Sequence, residues 1–164
     1  MSHTSAAQRY IVRPAAGIRG ELTVPGDKSI SHRALMLGGI AAGQTAISGF
    51  LASEDCLATL AALTALGVRI ERPQETTVRV HGVGREGLTG AAGALDMGNA
   101  GTAIRLLMGL LAGQRFDSTL IGDASLMRRP MERVAAPLRA MGARIDTQSG
   151  KPPVRVRALS TSFS

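Results

Sequence analysis

The sequence predicts an α/β (α+β) fold assembled from repeated units in the order β-α-β-α-β-β, and three observations predict it. Two segments read as copies of one unit. The first is "DKSISHRALMLGGIAAGQTAISG", closing on "LTALGVRIE"; the second is "GNAGTAIRLLMGLLAGQRFDSTLIG", closing on "LRAMGARID". Arg33 matches Arg105 at an offset of 72, Ile70 matches Ile145 at an offset of 75, and both copies carry an Ala-Gly-Gln step at 42–44 and 112–114. Within each copy the apolar pattern changes from helical spacing to strand-like alternation. Finally, 164 residues with 45% hydrophobic content suffice for a real core and argue against disorder. A repeat of this length implies stacked or pseudo-symmetric units.

The first helix of each copy is expected over 29–41 and 100–111, with Gly43 and Gly113 as C-terminal stops. Ile30, Ala34 and Leu37 fall at i, i+4 and i+7 and are expected to face the core. Short strands follow in "TAISGFL" and "FDSTLIG". The second helix of the first copy is expected over 54–66, capped by Ser53 and stopped by Gly67. Its counterpart begins near Pro130, a residue suited to a first turn, and stops at Gly142. Pro137 lies inside it and should kink or interrupt it. A hairpin closes each copy, with Val78 and Val80, then Val154 and Val156, alternating as half-buried strands do. Short strands "ELTV" and "ALDM" lead into the copies, and "RYIVRPAAGIRGELTVPGD" reads as one or two strands. The expected organisation is therefore N-terminal strands over 1–26, a first unit over 27–84, a second over 85–157 and a frayed tail over 158–164.

A net charge of +7 and an isoelectric point near 11.2 point to an anionic partner. Nucleic acid is disfavoured, because single-strand binders need stacking aromatics and the chain has three Phe, one Tyr and no Trp. No apolar run approaches the roughly 20 residues of a membrane span. The N-terminus lacks the apolar core of a signal peptide, and the single Cys56 excludes an internal disulfide framework. The expectation is a cytoplasmic protein with no metal site and no cofactor.

Cationic side chains gather where helices begin. Lys28 at the start of the first helix opposes the helix dipole, a sign that a bound phosphate or carboxylate would reverse. Ser29 and Arg33 lie four apart on one face beside it; neutralisation of Lys28 by Asp27 is the competing reading. In the second copy "GNAGTAIR" occupies the same repeat position. There Asn99 is an N-cap candidate, Gly98 and Gly101 admit a ligand close to the backbone, and Thr102 and Arg105 share a face. Arg128 and Arg129 precede a third helix start, and arginine holds oxyanions bidentately. Asp96 and Asp123 are placed to orient basic side chains. His32 reads as a surface or supporting residue, His3 as part of a tail, and Cys56 as a core thiol with no cluster around it.

"PGDKSISHRALML", "LDMGNAGTAIRLLMGLLAG" and "DSTLIGDASLMRRPMERVAAPLRAMGARI" closely resemble the N-terminal part of the EPSP synthase (3-phosphoshikimate 1-carboxyvinyltransferase) family, from about Ile11 to Val156. "FDSTLIGDASL" and Leu106 after Arg105 resemble its class II, bacterial branch. The resemblance implies the inverse αβ barrel or prism fold, with two of the three units of one domain present and the N-terminal strands over 1–26 belonging in part to the other domain of the full enzyme. It implies transfer of the enolpyruvyl group of phosphoenolpyruvate to the 5-hydroxyl of shikimate 3-phosphate. By resemblance Lys28 is catalytic and touches both substrates. Ser29 and Arg33 bind shikimate 3-phosphate; Asn99, Gly101, Thr102 and Arg129 bind phosphoenolpyruvate, whose site the inhibitor glyphosate also occupies. Gly101, where tolerant class II members often carry Ala, implies a glyphosate-sensitive pocket. Family members are more than twice as long. Their Ser-Ser-Gln motif, catalytic Asp and C-terminal Lys, Glu and Arg have no counterpart here, so the expectation is a fragment inactive alone that partners a missing C-terminal part. Two competing readings are a UDP-sugar enolpyruvyl transferase of the same fold and a non-enzymatic basic module binding RNA or a protein. Against the first, Asp27-Lys28-Ser29 stands where that family resembles Ala-Lys-Asn.

Overall fold

The structure is a computed structural model that describes residues 10–159. Its first unit is α1 (Lys28–Ile40), β1 (Ala42–Ser48), α2 (Glu54–Ala65), β2 (Arg69–Gln74) and β3 (Thr77–Val83). The second is β4 (Leu95–Asp96), α3 (Gly101–Leu111), β5 (Ser118–Ile121), a 3-10 turn Leu126–Arg128, α4 (Glu132–Ala140), β6 (Ile145–Gln148) and β7 (Lys151–Val156). The two halves thus follow one order, as the repeat predicts. β1, β3 and β2 form an antiparallel sheet in that order, with Thr45 opposite Val80 and Ile70 on Val80's other side. The second sheet runs β4-β5-β7-β6; β4 lies parallel to β5 and the other pairs are antiparallel.

Local chemistry sets the helix ends. Asp27 caps α1, its Oδ1 accepting the Ile30 amide at 2.7 Å. Ser53 caps α2, and Glu54 and Asp55 in its first turn complement the dipole. Gly67 and Gly142 follow α2 and α4 with φ of +90° and +98°, the left-handed geometry of a helix stop that glycine adopts without strain. Gly43 also has a positive φ, +87°, but it lies within β1 rather than at the end of α1. The helix ends through Ala41 in an extended conformation and Gly43 already pairs with Gly82 in the sheet, so β1 begins three residues earlier than expected and ends before Phe50. Gly113 follows Ala112, which is still right-handed helical, so no left-handed glycine stops α3 either.

The buried face of α1 is the opposite of the expected one. Ile30 and Leu37 are 68% and 65% exposed, whereas Ser31, His32, Leu35, Met36, Gly38 and Gly39 are buried. Small residues decide the orientation. A Cβ on Gly38 would stand 3.3 Å from the Thr45 Cβ, and one on Gly39 3.5 Å from Val68, so the glycine face lets α1 lie close on β1, β3 and the chain leaving α2. An apolar-spacing rule counts methyl groups and is blind to this. The two units share one hydrophobic cluster, in which Leu35, Leu63, Leu66 and Val80 of the first join Met97, Leu107, Met108, Leu120 and Val154 of the second.

Two further expectations fail. Residues 10–26 contain no strand; Ile11, Val12, Ile18, Leu22 and Val24 are 71% or more exposed, and neither sheet of the described residues pairs with them. "ALDM" does supply β4. α4 starts at Glu132, two residues after Pro130 and so near the expected point, and it is not interrupted at Pro137. The last described residues are also tied down rather than frayed. The Ala158 amide donates to Asp117 at 2.8 Å, and the Leu159 amide donates to the Gln114 carbonyl at 2.8 Å. His3 and residues 160–164 lie outside the described residues.

Candidate functional site

Two clusters carry the predicted site residues, and α2, which packs on both α1 and α3, links them. At the start of α1 the Arg33 guanidinium folds back onto the Ser29 carbonyl at 3.0 Å, and the Ser29 side chain is exposed. Lys28 does not pair with Asp27, whose carboxylate is spent on the cap. Its ammonium pairs with Asp55 in the first turn of α2. Sequence reasoning missed Asp55. The only local signal was its place in the acidic first turn of α2, which the helix's own dipole already explains.

Beneath this pair lies a buried polar contact. His32 is fully buried, with Nδ1 2.7 Å from Thr59 Oγ1 and Nε2 3.9 Å from Cys56 Sγ. The Cys56 thiol also lies 3.7 Å from the Lys28 carbonyl. Burial lowers the His32 pKa from its ordinary value; the Asp55 charge opposes that shift, and Lys28 and Arg33 reinforce it. Burial raises the Cys56 pKa. His32 is therefore a neutral core residue bridging α1 and α2, not a surface group, and Cys56 does have polar neighbours.

At the start of α3 the chemistry differs. Asn99 does not cap the helix; Ala100 stands at the cap position and no side chain accepts from the first turn. Asn99 Oδ1 instead accepts a hydrogen bond from the Arg129 guanidinium. Arg105 donates to the carbonyls of Gly101 at 2.8 Å and Pro130 at 3.0 Å, tying α3 to the loop before α4. Its Nε is buried with no partner. Burial lowers the Arg105 pKa, and the positive charges of Arg133 and Arg129 lower it further. A Cβ on Gly101 would stand 2.6 Å from Arg129 Nη1 and 3.1 Å from Arg105 Nη1, so glycine is what admits both guanidinium groups. Thr102 is exposed beside them. Asn99, Gly101, Arg105 and Arg129 are thus brought together as the sequence predicts, and Arg133 joins by charge. Arg133 was missed although it lies four residues after Arg129.

Asp96 and Asp123 do not orient basic side chains. Asp96 Oδ1 accepts the Gly98 amide at 2.9 Å, and Asp123 Oδ1 accepts the Leu126 amide at 2.7 Å, so both shape the turns around the cluster. The loop before α4 is anchored from behind. The Met131 amide donates to the Gly150 carbonyl, and Arg139 pairs bidentately with Glu132, which also accepts from Thr147 Oγ1 at 2.8 Å. Arg105 and Arg129 have amide and carbonyl partners but no carboxylate partner among the described residues, and a nearby negative charge would relieve their mutual repulsion. Four cavities of 320 to 430 Å³ lie elsewhere on the surface, and none of the four is lined by Lys28, Gly101 or Arg129. Among the described residues no cluster of His, Cys, Asp and Glu has metal-binding geometry, and no helix is long and apolar enough to cross a membrane.

Fold and site together define a repeat-built α/β domain that collects cations at helix starts. Its family follows from comparison with known proteins. A sequence profile of the EPSP synthase family (3-phosphoshikimate 1-carboxyvinyltransferase) matches residues 12–162, and the chain belongs to that family. It is 62% identical over 148 residues to the 3-phosphoshikimate 1-carboxyvinyltransferase of Methylococcus capsulatus, a match covering 90% of this chain and 34% of that protein. It is 56% identical over 153 residues to that of Hydrogenovibrio crunogenus, covering 93% and 34%. The 2.37 Å structure of EPSP synthase from Acinetobacter baumannii superposes with a TM-score of 0.81 at 56% identity, covering 84% of this chain and 32% of that one. The chain therefore spans about a third of the length of the curated relatives it matches.

Proposed function

We propose that this chain supplies the N-terminal part of the substrate site for enolpyruvyl transfer from phosphoenolpyruvate to the 5-hydroxyl of shikimate 3-phosphate. In this reading Lys28, Ser29 and Arg33 receive shikimate 3-phosphate. Arg129, the Gly101 backbone, Asn99 and Thr102 receive phosphoenolpyruvate, and Lys28 touches both. The observation that carries the reading is the cluster of Arg105 and Arg129 around Gly101, whose guanidinium groups bond carbonyl and amide oxygens and no carboxylate among the described residues, in a chain whose family takes its name from this reaction.

The chemical contribution is electrostatic. Preorganised guanidinium groups and the uncapped amides of α3 stabilise the negative charge of the phosphoryl and carboxylate groups, in a geometry already fixed before the ligand arrives. The proton transfers of the reaction fall to the remainder of the enzyme, which would complete both substrate sites. Glyphosate, an anion of similar charge, would compete at the Gly101–Arg129 cluster. A cytoplasmic location fits a reaction on soluble phosphorylated metabolites.

Two experiments test the reading. Titration of the ¹⁵N-labelled chain with shikimate 3-phosphate should perturb Lys28, Ser29 and Arg33, and silence at all three would contradict it. Mixing the chain with the complementary C-terminal part of a relative should restore phosphate release from phosphoenolpyruvate; two folded halves that associate without activity would count against it.

A further inference from the structure

The ion pair between Lys28 and Asp55 connects a residue of the proposed substrate site to one with no assigned part in it. Asp55 belongs to the first turn of α2, where a carboxylate already gains from the helix dipole. Its side chain is 19% exposed, while that of Lys28 is 48% exposed, so the ammonium sits at the solvent edge and the carboxylate behind it. The backbones beneath the pair are fixed to one another. Cys56 Sγ lies 3.7 Å from the Lys28 carbonyl, and His32 bonds Thr59 one turn further along both helices. Movement of the ammonium therefore needs only the flexible four-carbon stem of lysine, not a shift of either helix. Among the described residues Lys28 forms its ion pair with Asp55 and not with adjacent Asp27, whose Oδ1 accepts the Ile30 amide.

We propose that Asp55 is the resting counter-ion and positioning residue of Lys28, holding the ammonium at the α1 start until an incoming phosphoryl anion displaces the carboxylate. The inference rests on the proposed substrate site. It adds a residue to that site and a competition that ligand binding must overcome. Paired with Asp55, Lys28 offers little to chloride or acetate at ordinary concentration, because any anion must first break an existing ion pair. A phosphoryl dianion attracts the ammonium more strongly and can also engage Arg33.

The chain holds only two lysines, Lys28 and Lys151, so the test has a clean probe. Inorganic phosphate is titrated into ¹³C,¹⁵N-labelled chain at constant ionic strength while the lysine ¹Hε–¹³Cε signals and the Asp55 carboxyl ¹³Cγ signal are followed; Lys151→Gln assigns the pair. The expected result is that Lys28 Cε and Asp55 Cγ shift with one shared midpoint. Asp55→Asn should then tighten phosphate binding at Lys28 by up to about fivefold, the scale of one exposed ion pair. Glu54→Gln removes an equal charge from the neighbouring exposed residue and should change little. A saturated Lys28 signal with Asp55 Cγ unmoved would overturn the proposal. So would unchanged or weaker binding in Asp55→Asn, an equal effect from Glu54→Gln, or no response of Lys28 to phosphate. The amide fingerprint of each variant confirms the fold. Since the probe is inorganic phosphate, failure here leaves the shikimate 3-phosphate and phosphate-release experiments standing, and their failure leaves this one interpretable.

Discussion

The starts of α1 and α3 occupy the same position in the repeat yet handle charge in opposite ways. α1 is capped by the carboxylate of Asp27, and its cation, Lys28, is paired with Asp55. α3 has no side-chain cap, and its cations, Arg105 and Arg129, are held by carbonyl and amide oxygens alone. One helix start is internally neutralised and the other is left electropositive. The difference teaches that a shared motif position does not mean a shared ligand mode. On the proposed reading, the α3 cluster would take an anion directly, whereas the α1 cluster would exchange an internal partner for one.

The largest expected effect comes from removing a cation at the open start. Arg129→Ala should weaken phosphoenolpyruvate binding by roughly tenfold to hundredfold, the range of a hydrogen bond to a charged group, read by NMR titration. It should leave the response of Ser29 and Arg33 to shikimate 3-phosphate nearly intact. Loss of both responses together would break the division between the two clusters.

Gly101→Ala comes next. Its Cβ would stand 2.6 Å from Arg129 Nη1, the far end of a flexible side chain, so the guanidinium moves and the backbone stays. Phosphoenolpyruvate affinity should fall about tenfold, near 1.4 kcal/mol. The midpoint of thermal unfolding should move by less than about 2 °C. A large drop in that midpoint would show Gly101 to be a packing residue instead.

Much of this was legible in the sequence, for reasons that can be named. The order of elements followed from repeat matching and from Ser53, Gly67 and Gly142, whose roles are local and survive any tertiary context. Motif position placed Asn99 and Gly101 at one helix start and Arg129 at another; their grouping was implied by the family resemblance. What failed was decided by neighbours distant in sequence. The face of α1 was set by glycine contacts with Thr45 and Val68. The fate of Asn99 was set by Arg129, thirty residues away. His32 was placed inside by Thr59, and Lys28 was claimed by Asp55 rather than by adjacent Asp27. Local propensity carries no information about such partners.

The capping contrast gives a smaller effect. Asp27→Ala removes the α1 cap and should cost about 1 kcal/mol of stability in urea unfolding. Asn99→Ala removes no cap from α3 and should cost clearly less, while loosening Arg129. Equal losses would erase the asymmetry.

The smallest effect is a pH dependence that originates at His32 in the first unit. Burial lowers the His32 pKa below the ordinary value of 6.5. The unfolded chain therefore binds the proton more readily than the folded one. This contribution to stability is fully present above about pH 6.5 and is lost as pH falls towards the folded value, with a slope of at most about 1.4 kcal/mol per pH unit. Urea unfolding of wild type and His32→Asn at pH 7.5 and 5.5 measures it; the variant should lose less stability on acidification. An equal loss in both would place the titration elsewhere.

The most direct test of the account is an NMR titration of the chain with phosphoenolpyruvate, following the amides of Gly101, Thr102 and Ala103 and the Arg105 and Arg129 side-chain Nε–H signals. The account predicts that these five move first and with one midpoint. Saturation elsewhere while the α3 start stays silent would contradict it.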